Sequence, residues 1–156
     1  MTFPKVGRVK YAKNVLGNVL CQVRFPTILK IETDLPSEFQ QRLSPEFVNL
    51  IERQELGFDI QAGNVSDVRT EDLRQLSSSS FKNYEFSSEN DEWKVNLTKN
   101  FIALSTNKYE SWEEFQHKFE SVLNTFIEIY KPVLFTRIGL RYVDVIVRSI
   151  TVPVIW

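Results

Sequence analysis

The side chains that most often act as nucleophiles, general bases or metal ligands are scarce in this sequence. It has one cysteine, Cys21, and one histidine, His117. Cys21 falls among alternating apolar residues, where a cysteine is usually a small buried hydrophobe rather than a reactive thiol. His117 falls on the charged side of a predicted helix and has no second histidine or cysteine nearby with which to hold a metal. The two residues therefore predict neither a Cys–His nucleophile nor a metal site.

Carboxylates occur in pairs, but their spacing does not favour catalysis. Glu71 with Asp72 and Glu113 with Glu114 are adjacent in the sequence, and adjacent side chains on a helix or loop do not converge on one substrate. The chain has five glycines and no phosphate-binding loop, no CxxC or HxxxH metal spacing and no G-x-S-x-G turn. We therefore expect no enzyme activity, no metal and no cofactor. An enzyme with a pocket between helix and sheet remains the alternative.

Basic residues are concentrated at the two ends of the chain. Residues 1–31 contain six basic residues and no acidic one, residues 131–156 contain four basic and one acidic, and the stretch between them is strongly acidic. Two interpretations remain open. Either the ends meet and form a basic patch for phosphate or an acidic partner, or the charges are solvated and paired within the domain. The candidates for binding nucleic acid or an acidic partner are Lys10, Lys13, Arg24, Arg137 and Arg141.

The strands that would position these residues are indicated by alternation of apolar and polar side chains. This alternation predicts strands at 19–25, 81–87, 93–98 and 101–106, and more weakly at 58–62. A final strand, Leu134–Val147, places Ile138 and Leu140 on one face and Arg137, Gly139 and Arg141 on the other. We expect this strand to close the core, with Gly139 marking a bulge or a close approach.

Helices are predicted by capping signals followed by apolar residues at three- and four-residue steps. Ser111 and Glu114 form a capping box, and the apolar stripe that follows continues until Pro132, which predicts a long amphipathic helix over Ser111–Lys131. Shorter stripes after cap-then-proline signals predict helices at 34–44 and 44–57. The polar stretch 63–80 is predicted to be mostly loop.

The length and composition of the chain predict its class and compartment. With 156 residues and 42% hydrophobic content, it is long enough to bury a core, and we expect a single α+β domain over residues 1–156. One cysteine excludes an internal disulfide framework, and the first residues lack the apolar core of a signal peptide. No window approaches the run of about twenty apolar residues that spans a bilayer. We therefore expect a cytoplasmic protein that does not bind membranes.

Three stretches of the sequence together resemble a family of uncharacterised prokaryotic proteins that occurs sporadically across bacteria and archaea. They are YAKNVLGNVLCQVRFPTILKI (11–31), WKVNLTKNFIALSTNKYESWEEF (93–115) and FTRIGLRYVDVI (135–146). Their order and spacing also agree, so the resemblance covers most of the chain from Tyr11 to Ile146. The resemblance implies a shared fold. Sporadic occurrence is typical of mobile or defence-linked genes, so it also associates the chain with antiviral defence.

The C-terminal sequence departs from that family, whose members usually continue past the GLRY stretch into a second half. This chain ends in SITVPVIW, which is largely apolar and is interrupted by Pro153. An apolar segment with unpaired backbone groups should be covered by its own core, by a second copy or by another protein. The predicted partner-binding residues are Ile150, Val152, Val154, Ile155 and Trp156.

Together these patterns predict an α+β fold. Its mainly antiparallel sheet of about five strands is covered by one long C-terminal helix and by short N-terminal helices. The predicted function is that of a non-catalytic accessory or binding protein, which forms a homodimer or a hetero-complex with a larger protein through the tail and an exposed sheet edge. Such a partner would be a nucleic-acid-handling defence effector, contacted in a nucleoprotein complex. The alternative is a direct nucleic-acid-binding protein with a basic sheet face, which requires the first and last strands to be neighbours.

Overall fold

The computed structural model describes residues 16–58 and 78–145, which form an antiparallel sheet with helices packed on one face. In chain order the elements are β1 (Leu16–Arg24), α1 (Leu29–Thr33), α2 (Ser37–Leu43), β2 (Asn49–Phe58), β3 (Ser78–Ser87), β4 (Trp93–Leu97), β5 (Phe101–Thr106), α3 (Trp112–Tyr130) and β6 (Arg137–Asp144). The strand order is β2-β3-β4-β5-β1-β6, and each neighbouring pair is antiparallel. The predicted α+β class is confirmed, with six strands in the described residues where about five were expected.

The centre of the sheet is the meander β3–β4–β5, which follows the alternation of its sequence. Trp93, Val95 and Leu97 are buried on the helix side of the sheet. Lys94 and Asn96 point to the other side, which carries no helix among the described residues and is called the open face below. The strands predicted at 81–87 and 93–98 are confirmed within three residues at their ends, and the strand predicted at 101–106 has the same bounds.

α3 is the long predicted helix, and local chemistry sets both of its ends. Ser111 Oγ accepts a hydrogen bond from the Glu114 N–H at 3.3 Å, as an N-cap serine does. Lys131 adopts a left-handed backbone conformation with φ 46°, and Pro132 then prevents the helix from continuing. No described helix, α3 included, is long and apolar enough to cross a membrane. The buried stripe of α3 consists of Phe115, Phe119, Val122 and Phe126.

Two short helices precede β2 and pack beside α3. α2 lies within the helix predicted at 34–44 and buries Phe39 and Leu43. Its Arg42 pairs with Glu128 of α3, so the two helices are joined at their exposed sides as well as through the core. α1 has no counterpart among the predicted elements, and its Ile31 is buried in the same apolar cluster.

The helix predicted at 44–57 is wrong, because Asn49–Phe58 form the strand β2. This strand pairs with β3 over ten residues, from Asn49 opposite Ser87 to Phe58 opposite Ser78. The spacing of Phe47, Leu50 and Ile51 resembles a helical stripe for one turn only, whereas the ladder with β3 provides backbone partners along the whole segment. The weaker strand signal at 58–62 lies outside the described residues beyond Phe58.

The helices cover the middle of the sheet and leave both edges bare. An α-helix is about 10 Å wide and strands lie about 4.8 Å apart, so one helix covers roughly two strands. Beneath the helices, Val19, Cys21 and Val23 of β1 are each at most 3% exposed. The outermost strands, β2 and β6, extend beyond this cover. The expectation that the Leu134–Val147 strand closes the core is therefore wrong as to burial, because β6 is exposed along almost its whole length.

Candidate functional site

The edge strand β6 is aligned by its pairing with β1. The Thr136 N–H donates to the Arg24 carbonyl oxygen at 2.8 Å, and the register then runs without interruption from Arg24 opposite Arg137 to Val19 opposite Tyr142. Because side chains alternate along a strand and paired residues share a face, the register decides which side of the sheet each side chain occupies. Among the described strands, β6 has β1 as its one neighbour, so none of them pairs with its other edge.

On the helix side, β6 carries a strip of exposed apolar residues. Ile138, Leu140 and Tyr142 lie opposite the buried Val23, Cys21 and Val19 of β1. They are nevertheless 70%, 44% and 44% exposed, because α3 does not reach over them. The Tyr142 ring meets Tyr109 edge-on, with centroids 5.7 Å apart, so the strip borders the core. We call these three residues the apolar strip; a contiguous exposed set of this kind is typical of an interaction surface.

On the open face, the same strand carries two arginines beside a third on β1. Arg137 lies directly opposite Arg24, and Arg141 lies opposite Leu20. We call Arg24, Arg137 and Arg141 the arginine patch. Within the described part of the chain, none of the three forms an ion pair with a carboxylate. Like charges placed opposite one another across two strands repel, so the patch is suited to an anionic group supplied from outside.

A shallow depression of about 290 Å³ lies between the arginines of β6. Its lining includes Arg137, Gly139 and Arg141 together with Leu20 and Gln22 of β1. A Cβ added to Gly139 would meet nothing within 4 Å, and β6 keeps its register through this residue. The predicted bulge or close approach at Gly139 is therefore wrong.

The irregularity in this part of the sheet lies at Gly17. The β1–β6 register shifts between Leu16 and Asn18, and a Cβ on Gly17 would come within 2.4 Å of Val145 Cγ2. The close approach thus occurs on β1, where β6 ends. A glycine at Gly17 leaves the room that the Val145 side chain occupies.

The structure brings together three of the five predicted basic residues. Arg24, Arg137 and Arg141 share the open face of neighbouring strands, which is the arrangement that the charge pattern required. Lys10 and Lys13 lie outside the described residues, as do the predicted partner-binding residues Ile150, Val152, Val154, Ile155 and Trp156. Those assignments stay predictions.

The apolar strip is the feature that sequence reasoning missed. Alternation places Ile138 and Leu140 on one face, but it does not show whether the helices are wide enough to bury that face. The available signal was the ratio of strands to helices, since one long helix and two short ones are too narrow for a sheet of this width.

The residues considered for catalysis are not arranged around a reacting group. Cys21 is buried in the core beneath the helices, and burial raises its pKa to about 11, so the thiol stays protonated. His117 is exposed on α3. Within 16–58 and 78–145, no group of three or more His, Cys, Asp or Glu side chains could hold a metal ion. The lack of enzyme activity stays a prediction.

No protein-family model, no curated protein and no solved structure matches this chain. The resemblance to a sporadic prokaryotic family stays a prediction that rests on the three stretches of sequence.

Proposed function

We propose that the protein is a non-catalytic binding protein that takes a strand of another polypeptide, from a second copy or from a larger partner, alongside β6. The observation that supports the proposal is the apolar strip, which is uncovered on a strand whose outer edge faces no other described strand. In this mode of recognition, main-chain hydrogen bonds provide affinity and alternate side chains provide specificity. β6 can provide both, since no described strand pairs with its outer backbone and its side chains alternate between the two faces of the sheet.

The apolar strip and the segment before it supply the driving force for such binding. Full burial of a large apolar side chain contributes about 1.5–3 kcal/mol, so covering the part of each strip residue now in water contributes roughly 1 kcal/mol. The preceding residues Val133 and Phe135 are also exposed. A partner strand paired with β6 would cover the three residues of the apolar strip together, which distinguishes the strip from apolar residues scattered singly over a protein surface.

A pair of substitutions tests whether the edge at β6 is the binding edge. Leu140→Glu places a charge in the apolar strip, and Leu50→Glu is its matched control, because Leu50 is 37% exposed on the same side of the sheet at the opposite edge. Cross-linked complexes, with itself or with another protein, are quantified per folded chain. We expect Leu140→Glu to reduce them at least about tenfold and Leu50→Glu to leave them unchanged. Equal behaviour of the two variants contradicts the proposal.

The C-terminal tail extends this proposal, since its predicted anchors follow β6 in the sequence. Ile150, Val152, Val154, Ile155 and Trp156 would add apolar contacts to those of the apolar strip. Sedimentation or light scattering of the chain with and without residues 149–156 tests their part. We expect association to weaken when the tail is removed. A monodisperse monomer in both forms excludes self-association as the mode of action.

A second candidate function, direct binding of nucleic acid by the open face, is favoured by the pairing of β1 with β6. This pairing places Arg24 opposite Arg137, as the summing of terminal charges required. Three phosphate contacts to a single strand predict that log K falls with log salt at a slope of about −2. Arg24→Gln with Arg137→Gln should flatten that slope. An affinity for a single-stranded oligonucleotide that is indifferent to salt, or absent at low salt, excludes this candidate.

A further inference from the structure

We propose that the strand accepted by β6 belongs to a partner protein and alternates acidic with apolar residues. The proposal rests on strand addition at β6 and goes beyond it by naming the chemistry of the occupant. It follows from the placement of the apolar strip and the arginine patch on the two faces of one strand.

The alternation of β6 sets what an added strand must present. Ile138, Leu140 and Tyr142 point to the helix side, and Arg137 and Arg141 point to the open face with Gly139 between them. A strand paired with β6 places each of its side chains on the same face as the residue opposite. The positions opposite the apolar strip should therefore be apolar, and those facing the arginines should be acidic.

The depression at Gly139 shows where an acidic side chain fits. It has a volume of about 290 Å³ and lies between Arg137 and Arg141. Gly139 itself contributes no side chain, and a Cβ there would meet nothing within 4 Å. A glutamate opposite Gly139 would reach over this depression, with one arginine on either side to donate hydrogen bonds to its carboxylate.

No acidic group of the described residues neutralises the arginine patch from within the protein. The nearest strand with a carboxylate on the open face is β3, where Glu85 contacts Lys94 at 3.3 Å and Arg53 at 3.5 Å. β3 lies four strand spacings from β6, about 19 Å away. That distance exceeds the screening length of about 8 Å at physiological salt. No described residue supplies the counter-charge, and a bound partner with acidic side chains would supply it.

A second copy of the chain fits this edge poorly. In a twofold antiparallel pairing of β6 with itself, odd-numbered residues of one copy lie opposite odd-numbered residues of the other. The arginine patches of the two copies therefore fall on the same face of the joined sheet. Such a pairing gathers six arginines without an acidic residue between them, and like charges directly opposite destabilise a sheet. Nucleic acid would neutralise the arginines but would leave the apolar strip and the open backbone edge uncovered. An acidic-apolar strand satisfies all three features.

Labelled peptides of about eight residues, the length of a long strand, test the inference on the full chain. The probe alternates valine with glutamate, and its comparators are a blocked arrangement of the same residues, a valine–threonine alternation, a valine–lysine alternation and a single-stranded oligonucleotide. We expect the valine–glutamate probe to bind at least about tenfold more tightly than each peptide comparator.

A charge exchange on the protein sharpens the test. Arg137→Glu with Arg141→Glu should weaken binding of the valine–glutamate probe at least about tenfold and make valine–lysine the preferred peptide. The control is Arg53→Glu, on the open face of the other edge strand, which should change neither preference. A circular dichroism spectrum confirms that each variant is folded.

The outcomes separate this inference from the proposed function. If valine–threonine binds as tightly as valine–glutamate and Leu140→Glu abolishes both, strand addition stands and the acidic preference is overturned. If no peptide binds and Leu140→Glu changes nothing, the proposed function fails as well. Binding of the oligonucleotide in preference to every peptide, or dimerisation that excludes the peptides, also overturns the inference in favour of nucleic acid or a second copy.

Discussion

The two edge strands of the sheet, β2 and β6, carry their charges in opposite ways. On β2, Glu52 lies 3.9 Å from Lys82 and Arg53 lies 3.5 Å from Glu85, both partners being on the neighbouring strand β3. On β6, Arg137 has another arginine as its neighbour across the strands. These charges of β2 are therefore paired within the sheet, whereas Arg137 and Arg141 form no ion pair with a carboxylate of the described residues.

This difference separates an edge that its charges protect from an edge that we propose to be selective for a partner. Charged residues on an edge strand oppose pairing with other chains, and β2 combines them with lateral contacts that hold the charges in place. β6 combines an exposed apolar strip, which favours pairing, with arginines of one sign, which discourage copies of itself. Attraction and repulsion built into one surface are how proteins discriminate between partners. The comparison predicts that β2 and β6 respond differently to the same kind of substitution.

The largest effect, on association of the protein with itself, is expected when the charged side chains of β2 are replaced. Glu52→Val with Arg53→Val leaves the net charge unchanged and continues the apolar residues Leu50 and Ile51 along the strand. The β2 edge of one copy could then pair with the β6 edge of the next. Because such head-to-tail contacts build open chains of molecules and not closed dimers, we expect particle mass to rise steadily with concentration. Light scattering measures this.

The control for that substitution is equally neutral in charge and lies on no strand. It is Lys108→Val with Glu110→Val, in the exposed segment between β5 and α3. We expect this variant to keep the particle mass of the original protein at all concentrations. If both variants associate alike, the loss of surface charge alone is the cause, and the contrast between the edges does not hold.

The sequence predicted the elements whose signals are local, and it failed where the deciding contacts are distant. The capping box at Ser111 and the alternation around Val95 each lie within a few residues, and both predictions are confirmed. The one-turn apolar stripe at the start of β2 predicts a helix, and this prediction is wrong because the pairing of β2 with β3 outweighs it.

The candidate site depends on non-local contacts to a greater degree. The faces of β6 followed from alternation, but the exposure of Leu140 depends on how far α3 extends over the sheet. The meeting of Arg24 with Arg137 joins residues more than a hundred positions apart in the chain. The charge pattern raised that meeting as one of two interpretations. Strand order brings the two arginines together, and the binding of an anionic partner by the patch stays a prediction.

A pair of glycine substitutions tests the packing of the β1–β6 pair. The structure predicts that Gly17 is closely packed against the residue after β6 and that Gly139 of β6 is open to solvent on the face where a ligand fits. Gly139→Ala meets nothing within 4 Å, so it should raise the free energy of unfolding by about 0.5–1 kcal/mol, because alanine loses less backbone entropy on folding. Gly17→Ala meets Val145 Cγ2 at 2.4 Å, and the displacement of that side chain should cancel the gain. Urea denaturation measures both.

The same glycine variants separate stability from binding. Gly139→Ala should lower the affinity for the valine–glutamate peptide, because the added methyl group enters the depression between Arg137 and Arg141. Gly17→Ala should leave peptide binding unchanged, since Gly17 does not line that depression. A destabilised Gly139→Ala variant would show that the open face at this residue is packed, contrary to the geometry.

The smallest effects are expected for single arginines, and they differ in sign between the edges. Arg53→Ala removes a contact to Glu85, whose side chain is 13% exposed. It should lower the free energy of unfolding by about 0.5 kcal/mol, since Arg53 is itself half exposed and Lys94 still contacts the carboxylate. Arg137→Ala removes a repulsion from Arg24 and should raise the free energy of unfolding by a few tenths of a kcal/mol.

Salt separates these two effects from ordinary changes in packing. Screening should shrink the loss in Arg53→Ala and the gain in Arg137→Ala together, because both are Coulombic and near the surface. Urea denaturation at low and high salt measures the two trends on the same proteins. A loss of stability in Arg137→Ala that salt does not alter would mean that the arginine stem packs on the sheet. The arginine patch would then stabilise the fold of β6, and the difference between the two edges would no longer concern unsatisfied charge.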